Sequence, residues 1–282
     1  MKRFTHFLEE EYEELVEKLI TFGNRAYPKF GTVVIMAGGA GSGKGFVKNK
    51  LIGVEGFTYD VDEIKKLAIQ ADRLVQKVKE KTGTDLKRLD LREPEDVAKV
   101  HEIVGDFLKL DDKKLQTMYT SIMMAAPDRK PNMIFDVTLK NLDKLSKLTR
   151  AVKQLGYDDK NIHIVWVVND IEVAIDQNAK RDRKVPVEIL VNTHRGVSQT
   201  MMDILKMGKK IKTYLNGDII FAFNRVGVDS ELVKSSRGGS YIKDANYFYV
   251  KKAGKDVMPL EMISADIKRK IASYVPKNVD WT

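Results

Sequence analysis

Thr32-Val33-Val34-Ile35-Met36-Ala37-Gly38-Gly39-Ala40-Gly41-Ser42-Gly43-Lys44-Gly45-Phe46-Val47-Lys48-Asn49-Lys50-Leu51 is the stretch that decides the fold. Its first six residues are uncharged and rich in β-branched side chains, which reads as a buried strand. A glycine-dense turn follows, and Phe46 to Leu51 read as the start of a helix. Glycines let the backbone curl so that successive N–H groups converge on one point, and the helix start adds partial positive charge there. Strand, glycine turn, lysine and helix in this order make a phosphate-binding loop. Its phosphate contacts are expected from Gly38, Gly39, Ala40, Gly41, Ser42, Gly43, Lys44, Gly45 and Phe46. Lys44 is placed to reach the β- and γ-phosphates of a nucleotide. Such loops ordinarily run from lysine into Ser or Thr, whose hydroxyl holds Mg²⁺. Gly45 stands there instead, so a metal must find its protein ligand elsewhere or use water.

The surrounding composition narrows the classes. A chain of 282 residues buries a full core and suits one large domain with insertions or two small ones. No apolar run approaches the ~20 residues of a membrane span, and no charged–apolar–small leader opens the chain. No membrane partner is therefore expected. The absence of cysteine excludes disulfides, zinc–thiolate sites and thiol nucleophiles, and agrees with a cytoplasmic location. The net charge of +9, from 49 basic and 40 acidic residues, favours phosphate-rich partners from nucleotides to nucleic acid.

Outward from the loop, the organisation reads in three parts. Residues 1–28 carry an amphipathic helix with Phe4, Phe7, Leu8, Tyr12, Leu15, Val16, Leu19 and Ile20 on one face. Its opening residues resemble starts seen on tailed-phage proteins, although a docking helix is the plainer reading. Residues 29–225 form the core. After the loop, Gly56 to Tyr59 make a short strand ending at Asp60 and Asp62, and a helix pattern runs from Ile64 to Val78 until Thr82-Gly83 stops it. Helix patterns alone fill residues 83–130, which reads as a helical insertion. Asn132 to Val137, Ile162 to Val168 and Asp218 to Phe223 are buried strands separated by helices. This alternation argues for an α/β fold: a three-layer αβα arrangement around a mostly parallel sheet. Residues 226–282 form a small C-terminal α+β extension, with a glycine loop from Ser235, a strand Tyr247–Lys251 and a last helix.

Ligands of such sheets bind outside the carboxyl ends of the strands, so the residues just past each strand are the candidates. After the second strand, one of Asp60 and Asp62 can take a proton from an acceptor hydroxyl, while one serves to cap the following helix. After the next strand, Asp136 can hold Mg²⁺ through water, and Thr138 and Lys140 either hold an acceptor or phosphate or are a cap and a solvated lysine. Arg181 and Arg183, in the basic turn Lys180-Arg181-Asp182-Arg183-Lys184, can neutralise charge on a transferring phosphoryl group or form a solvated face. His6, His101, His163 and His194 are too scattered for a metal site. Asn224 ends a strand either as a nucleobase contact or as a turn residue. Phe221, Phe223, Tyr247, Phe248 and Tyr249 are strand positions. With Arg237, Lys243, Lys251, Lys252 and Lys255 they offer a second reading, as a basic–aromatic surface for single-stranded nucleic acid.

Together the loop, Asp60-x-Asp62-x-x-Lys65, Thr138-x-Lys140 and Arg183-Lys184-Val185-Pro186 resemble the zeta-toxin and bacteriophage polynucleotide-kinase group of P-loop kinases, over roughly Val33 to Asn224. The resemblance implies that Asp62 is the general base and that Lys65, where polynucleotide kinases have Arg, assists acceptor or phosphate binding. It also implies that Thr138 and Lys140 stand where the group has Thr-x-Arg and that Arg183 is a lid arginine; Arg181 is taken as a second one, since the spacing to any earlier arginine does not match. Lysines at two of these positions cannot reproduce a bidentate arginine clamp. The expected activity is ATP-dependent transfer of the γ-phosphate to a hydroxyl, with ATP and Mg²⁺ as cofactors and with Asp136 or Asp60 as outer partner of the metal. The expected acceptor lies on a nucleic acid (DNA or RNA) or nucleotide, for example a polynucleotide or 5-hydroxymethyluracil in DNA. The alternatives are a zeta-toxin-like kinase of a nucleotide sugar, or a non-catalytic nucleotide- or nucleic-acid-binding phage protein, which would place the chain in a host cytoplasm.

Overall fold

The apolar run before the glycines forms β1 (Val33–Ala37), and all five of its residues are buried. In the computed structural model, which describes residues 20–23, 25, 28–181, 184–225, 227–234 and 240–281, β1 lies inside a seven-stranded sheet. The other strands are β2 (Phe57–Asp60), β3 (Met133–Asp136), β4 (Ile162–Val168), β5 (Ile219–Phe223), β6 (Ser230–Lys234) and β7 (Ser240–Lys251), in the order β2-β3-β1-β4-β5-β7-β6. The first five strands of that row are parallel, and β7 and β6 add antiparallel to the β5 edge. Parallel neighbours need crossovers, and helices supply them. Side chains alternate between the two faces of each strand. Val33, Ile35 and Ala37 therefore join one apolar cluster, and Val34 and Met36 join another on the opposite face. The helix expected in residues 1–28 lies, up to residue 19, outside the described residues, as does the loop at 235–239.

The helices are α1 (Lys44–Lys50), α2 (Val61–Gln70), α3 (Asp72–Thr82), α4 (Pro94–His101), α5 (Leu110–Met123), α6 (Leu142–Gln154), α7 (Ile171–Ala179), α8 (Val187–Met207) and α9 (Ala265–Tyr274). Between α3 and β3 the described chain is helical, with no strand, as the sequence pattern predicts. Two details differ. The single helix expected from Ile64 to Val78 is broken at Ala71, which is extended (φ −83°, ψ 97°), although no Gly or Pro marks the spot. The pattern from Glu95 to Leu108 is α4 followed by a π-helical stretch, Glu102–Phe107, which contains Gly105.

The C-terminal segment is built into the same body. Beyond β6 and β7, Trp281 stacks on Trp166 of β4 (ring centroids 5.5 Å apart) and its Nε1–H donates to Ser198 Oγ at 2.9 Å. The buried Asp229 carboxylate pairs with Lys270 of α9, accepts from Tyr274 Oη at 2.9 Å, and accepts from the Arg225 N–H at 3.0 Å. Helix α9 thereby anchors the turn that leaves β5. Phe221 and Phe223 are core residues, and Lys251 is buried, donating to the carbonyls of Asn216 and Gly217 at 3.0 Å each. Those three residues are therefore not part of a nucleic-acid-facing surface.

Candidate active site

The carboxyl ends of β2, β3 and β1 finish level. Asp60 pairs in register with Asp136, and Asp136 with Met36, just before the glycine turn. At that turn Gly41 and Gly43 have φ of +74° and +84°, a region that other L-residues rarely enter. Space excludes side chains there as well: a Cβ on Gly41 would fall 2.6 Å from the Ala174 carbonyl oxygen, and one on Gly43 2.0 Å from Asn224 Nδ2. Gly43 caps α1, whose first N–H groups have no acceptor within the helix and face the turn. The Phe46 ring packs on the apolar cluster behind β1. Open space surrounds Gly45, so nothing in the packing forbids a Ser or Thr at that position. Ser42 Oγ is buried with no protein partner.

Lys44 folds over the turn, with Nζ donating to Gly38 O at 2.9 Å and lying 3.7 Å from Asp136 Oδ1. Burial pushes the Asp136 carboxyl above the ordinary range, the nearby Lys44 ammonium opposes this, and Asp60 adds to it. Asp60 is the helix cap, accepting from the Asp62 and Glu63 N–H groups at 2.8 and 3.3 Å. Asp60 rather than Asp62 is thus the cap. Asp62 stands in the first turn of α2, half exposed, with Lys65 Nζ 3.8 Å away on a buried side chain. The Thr138 carbonyl accepts from the Gly38 N–H at 3.2 Å, which ties its loop to the glycine turn. Asn141, not Thr138, caps α6. Leu139, between Thr138 and Lys140, is buried at φ +55°, a strained conformation for a residue with a side chain. Lys140 and Arg181 are exposed; Arg183 lies outside the described residues. The base of the segment bearing these arginines is closed by the buried Asn178. Its side-chain amide donates to Val185 O at 2.7 Å and accepts from Val185 N–H at 3.0 Å.

Sequence reasoning missed a set of side chains that grip the turn from behind. Thr193 Oγ1 accepts from the Ala40 N–H at 3.1 Å, and His194 Nε2 contacts Ala40 O at 2.9 Å. Asn169 Nδ2 donates to Gly41 O at 3.4 Å, and Asn224 Nδ2 to Ser42 O at 2.9 Å. Sequence reasoning places Asn224 past β5 as a nucleobase contact or turn residue, not as a tether of the glycine turn, and Asn169 follows β4, where the rule of strand ends could have found it. Thr193 and His194 lie mid-helix and carry no sequence signal. Burial holds the His194 imidazole below its ordinary pKa, with the bond to Ala40 opposing this and the Lys44 charge reinforcing it.

A glycine turn between β1 and α1, with helix-start amides and a lysine folded over it, is the arrangement of a phosphate-binding loop. A turn of that kind after the central strand of a parallel sheet with helices on both faces defines the P-loop kinase type of α/β fold. Residues 105–225 match the zeta toxin family model. The match takes in β3, β4, β5 and the arginine-bearing segment but begins after the phosphate loop. Among solved structures, the chain is similar to the AvrRxo1-ORF1:AvrRxo1-ORF2 complex with sulphate ions at 12% identity and TM-score 0.47, over 98% of this chain and 73% of that one. The AvrRxo1-ORF1:-ORF2 structure with ATP aligns at 11% identity and TM-score 0.44, over 89% of this chain and 66% of that one. A structure from the PezAT chromosomal toxin–antitoxin system of Streptococcus pneumoniae aligns at 13% identity and TM-score 0.40, over 78% and 76%. No curated protein matches the sequence. Among the described residues no helix is long and apolar enough to cross a membrane.

Proposed function

We propose that the chain is an ATP-dependent kinase that transfers the γ-phosphoryl group to a hydroxyl on a nucleic acid or nucleotide. The observation that carries this reading is the shared edge of three strands. Lys44 lies 3.7 Å from Asp136, Asp136 is in register with Asp60, and Asp62 follows two residues on with Lys65 Nζ 3.8 Å from its carboxylate. The turn amides and Lys44 hold the β- and γ-phosphates. Asp62 takes the proton of the acceptor hydroxyl as that oxygen bonds to the γ-phosphorus and the bond to the β-phosphate oxygen breaks, leaving ADP. Lys65 fixes the Asp62 carboxylate, and Lys140 and Thr138 border the acceptor. Arg181, with Arg183, supplies positive charge to the phosphoryl oxygens. Asp136 and Asp60 suit a magnesium ion held mainly by phosphates and water, since that ion needs only one or two protein carboxylates. Bound there, it would neutralise the β- and γ-phosphate charge.

A second reading, a zeta-toxin-like kinase of a nucleotide sugar, is favoured by the family match at residues 105–225. One experiment separates the readings. The protein is incubated with γ-labelled ATP, magnesium and separate acceptors: 5′-hydroxyl DNA and RNA, DNA with hydroxymethylated bases, nucleosides and nucleotide sugars. Label on DNA, RNA or nucleosides supports the first reading, and label confined to nucleotide sugars supports the second. Tight ATP binding with label on no acceptor would favour a nucleotide-binding protein without transfer activity.

A further inference from the structure

We infer that His194 and Asn224 are positioning residues that aim the Gly41 and Gly43 amides of the phosphate turn by holding the Ala40 and Ser42 carbonyls away from the ligand, while Asn169 tethers the Gly41 carbonyl between them. The inference rests on the nucleotide site proposed above. The carbonyls are those of Ala40, Gly41 and Ser42, bonded to His194 Nε2 at 2.9 Å, Asn169 Nδ2 at 3.4 Å and Asn224 Nδ2 at 2.9 Å. In a trans peptide the C=O and the next residue's N–H point in opposite directions. Fixing the carbonyls of 40 and 42 outward therefore fixes the N–H groups of Gly41 and Gly43 inward.

The remaining amides of the turn agree with this division. The Gly38 N–H goes to Thr138 O at 3.2 Å, the Ala40 N–H to Thr193 Oγ1 at 3.1 Å, and the Ser42 N–H to Gly39 O at 3.2 Å. Among the described residues, the N–H groups of Gly41 and Gly43 make no such bond. Alternate amides are thus used by the protein and left for an anion. An unpinned turn would let a carbonyl swing toward the phosphates, placing like partial charges together, and the site would reorganise on each binding event.

The three donors are themselves held. All three are buried: Asn169 and Asn224 close the ends of β4 and β5, and His194 lies within α8. Asn169 Oδ1 accepts from the Asp170 N–H at 3.0 Å, and the Asn224 N–H donates to Val168 O at 2.9 Å. The imidazole must carry its proton on Nε2 to donate to Ala40 O, and the suppressed ionisation of His194 is compatible with that neutral tautomer.

The test measures ATP affinity by calorimetry, with circular dichroism confirming folded protein at the same temperature. His194→Phe keeps the ring without the donor, Asn224→Leu keeps the volume without the donor, and His194→Gln restores an N–H. The two donor-free variants are expected to weaken ATP and tripolyphosphate binding alike by about 10- to 100-fold, the range that outer partners of a bound group command. His194→Gln is expected to recover most of the loss. Wild-type affinity in folded donor-free variants would overturn the inference. Should those variants not fold, amide spectra of the wild-type protein decide it: tripolyphosphate is expected to shift Gly41 and Gly43 strongly and Ala40 and Ser42 little, and the reverse pattern overturns it. If the wild-type protein binds neither ATP nor tripolyphosphate, the nucleotide reading fails first, and this one with it.

Discussion

At the scale of single residues, the site puts conflicting demands on one carboxylate. Asp136 is kept near Lys44 at the cost of burial, and its raised pKa means that the ionised form is less favourable in the fold than in the open chain. Replacing it by Asn removes that penalty. Asp136→Asn is expected to match or exceed the wild-type melting temperature while phosphoryl transfer falls by about 10²-fold or more. Loss of stability together with activity would show that the Lys44 pair supports the fold. The sequence exposed Lys44 and the glycines because their chemistry depends on spacing along the chain. It left open which of Asp60 and Asp62 caps a helix, since both lie at the strand end; the two bonds to Asp60 Oδ1 settle that. His194 and Thr193 were illegible because their role depends on α8 crossing behind the turn, some 150 residues away in sequence.

At the scale of elements, α8 links the parts of the site. Its first turn follows the arginine-bearing segment, Thr193 and His194 grip the phosphate turn, and Gly196 lies against Lys140. A Cβ on Gly196 would stand 2.7 Å from Lys140 Cβ and 3.1 Å from its carbonyl oxygen, so a side chain there must move the Thr138–Lys140 loop or the helix. Gly196→Ala is expected to cost about 1–3 kcal/mol of stability from overpacking and to raise the KM for the acceptor more than that for ATP. A protein with unchanged acceptor kinetics would separate that loop from acceptor binding. Hydrophobic periodicity found the five parallel strands, the end of β7 and most helices, because the centre of the sheet is buried on both faces and its strands read as unbroken apolar runs; it did not find β6 or the first half of β7. It could not find the break at Ala71, where no residue interrupts the pattern, nor the π-helical turn, whose i→i+5 hydrogen bonds are too local a change to show in an apolar pattern.

At the scale of the whole molecule, aromatics tie the chain's last third to its middle and to its first. Trp281 rests on Trp166, and Tyr249 near the β5 edge exchanges hydrogen bonds with Thr21. Burial pushes Tyr119 and Tyr157 up to about 12, and raises Tyr59, Tyr247, Tyr249 and Tyr274 above the usual phenol range of 10.0. Above pH 10 the unfolded chain sheds protons that the native state keeps, so stability must fall as pH rises. Denaturant midpoints are expected to drop steeply above pH 10, with tyrosine ionisation near 295 nm appearing together with unfolding; ionisation of all tyrosines near pH 10 in a folded protein would contradict this packing. The C-terminal strands, which sequence reading set apart as an extension, continue the same sheet because antiparallel pairing with β5 depends on register rather than composition. The account as a whole turns on phosphoryl transfer through Asp62, and transfer of label from γ-labelled ATP by wild-type and Asp62→Asn protein tests it most directly. The account predicts label on an acceptor hydroxyl with the wild type, loss of about 10²-fold or more in the variant, and nearly equal ATP affinity in both. Equal transfer by the two proteins, or loss of ATP binding with the substitution, would contradict it.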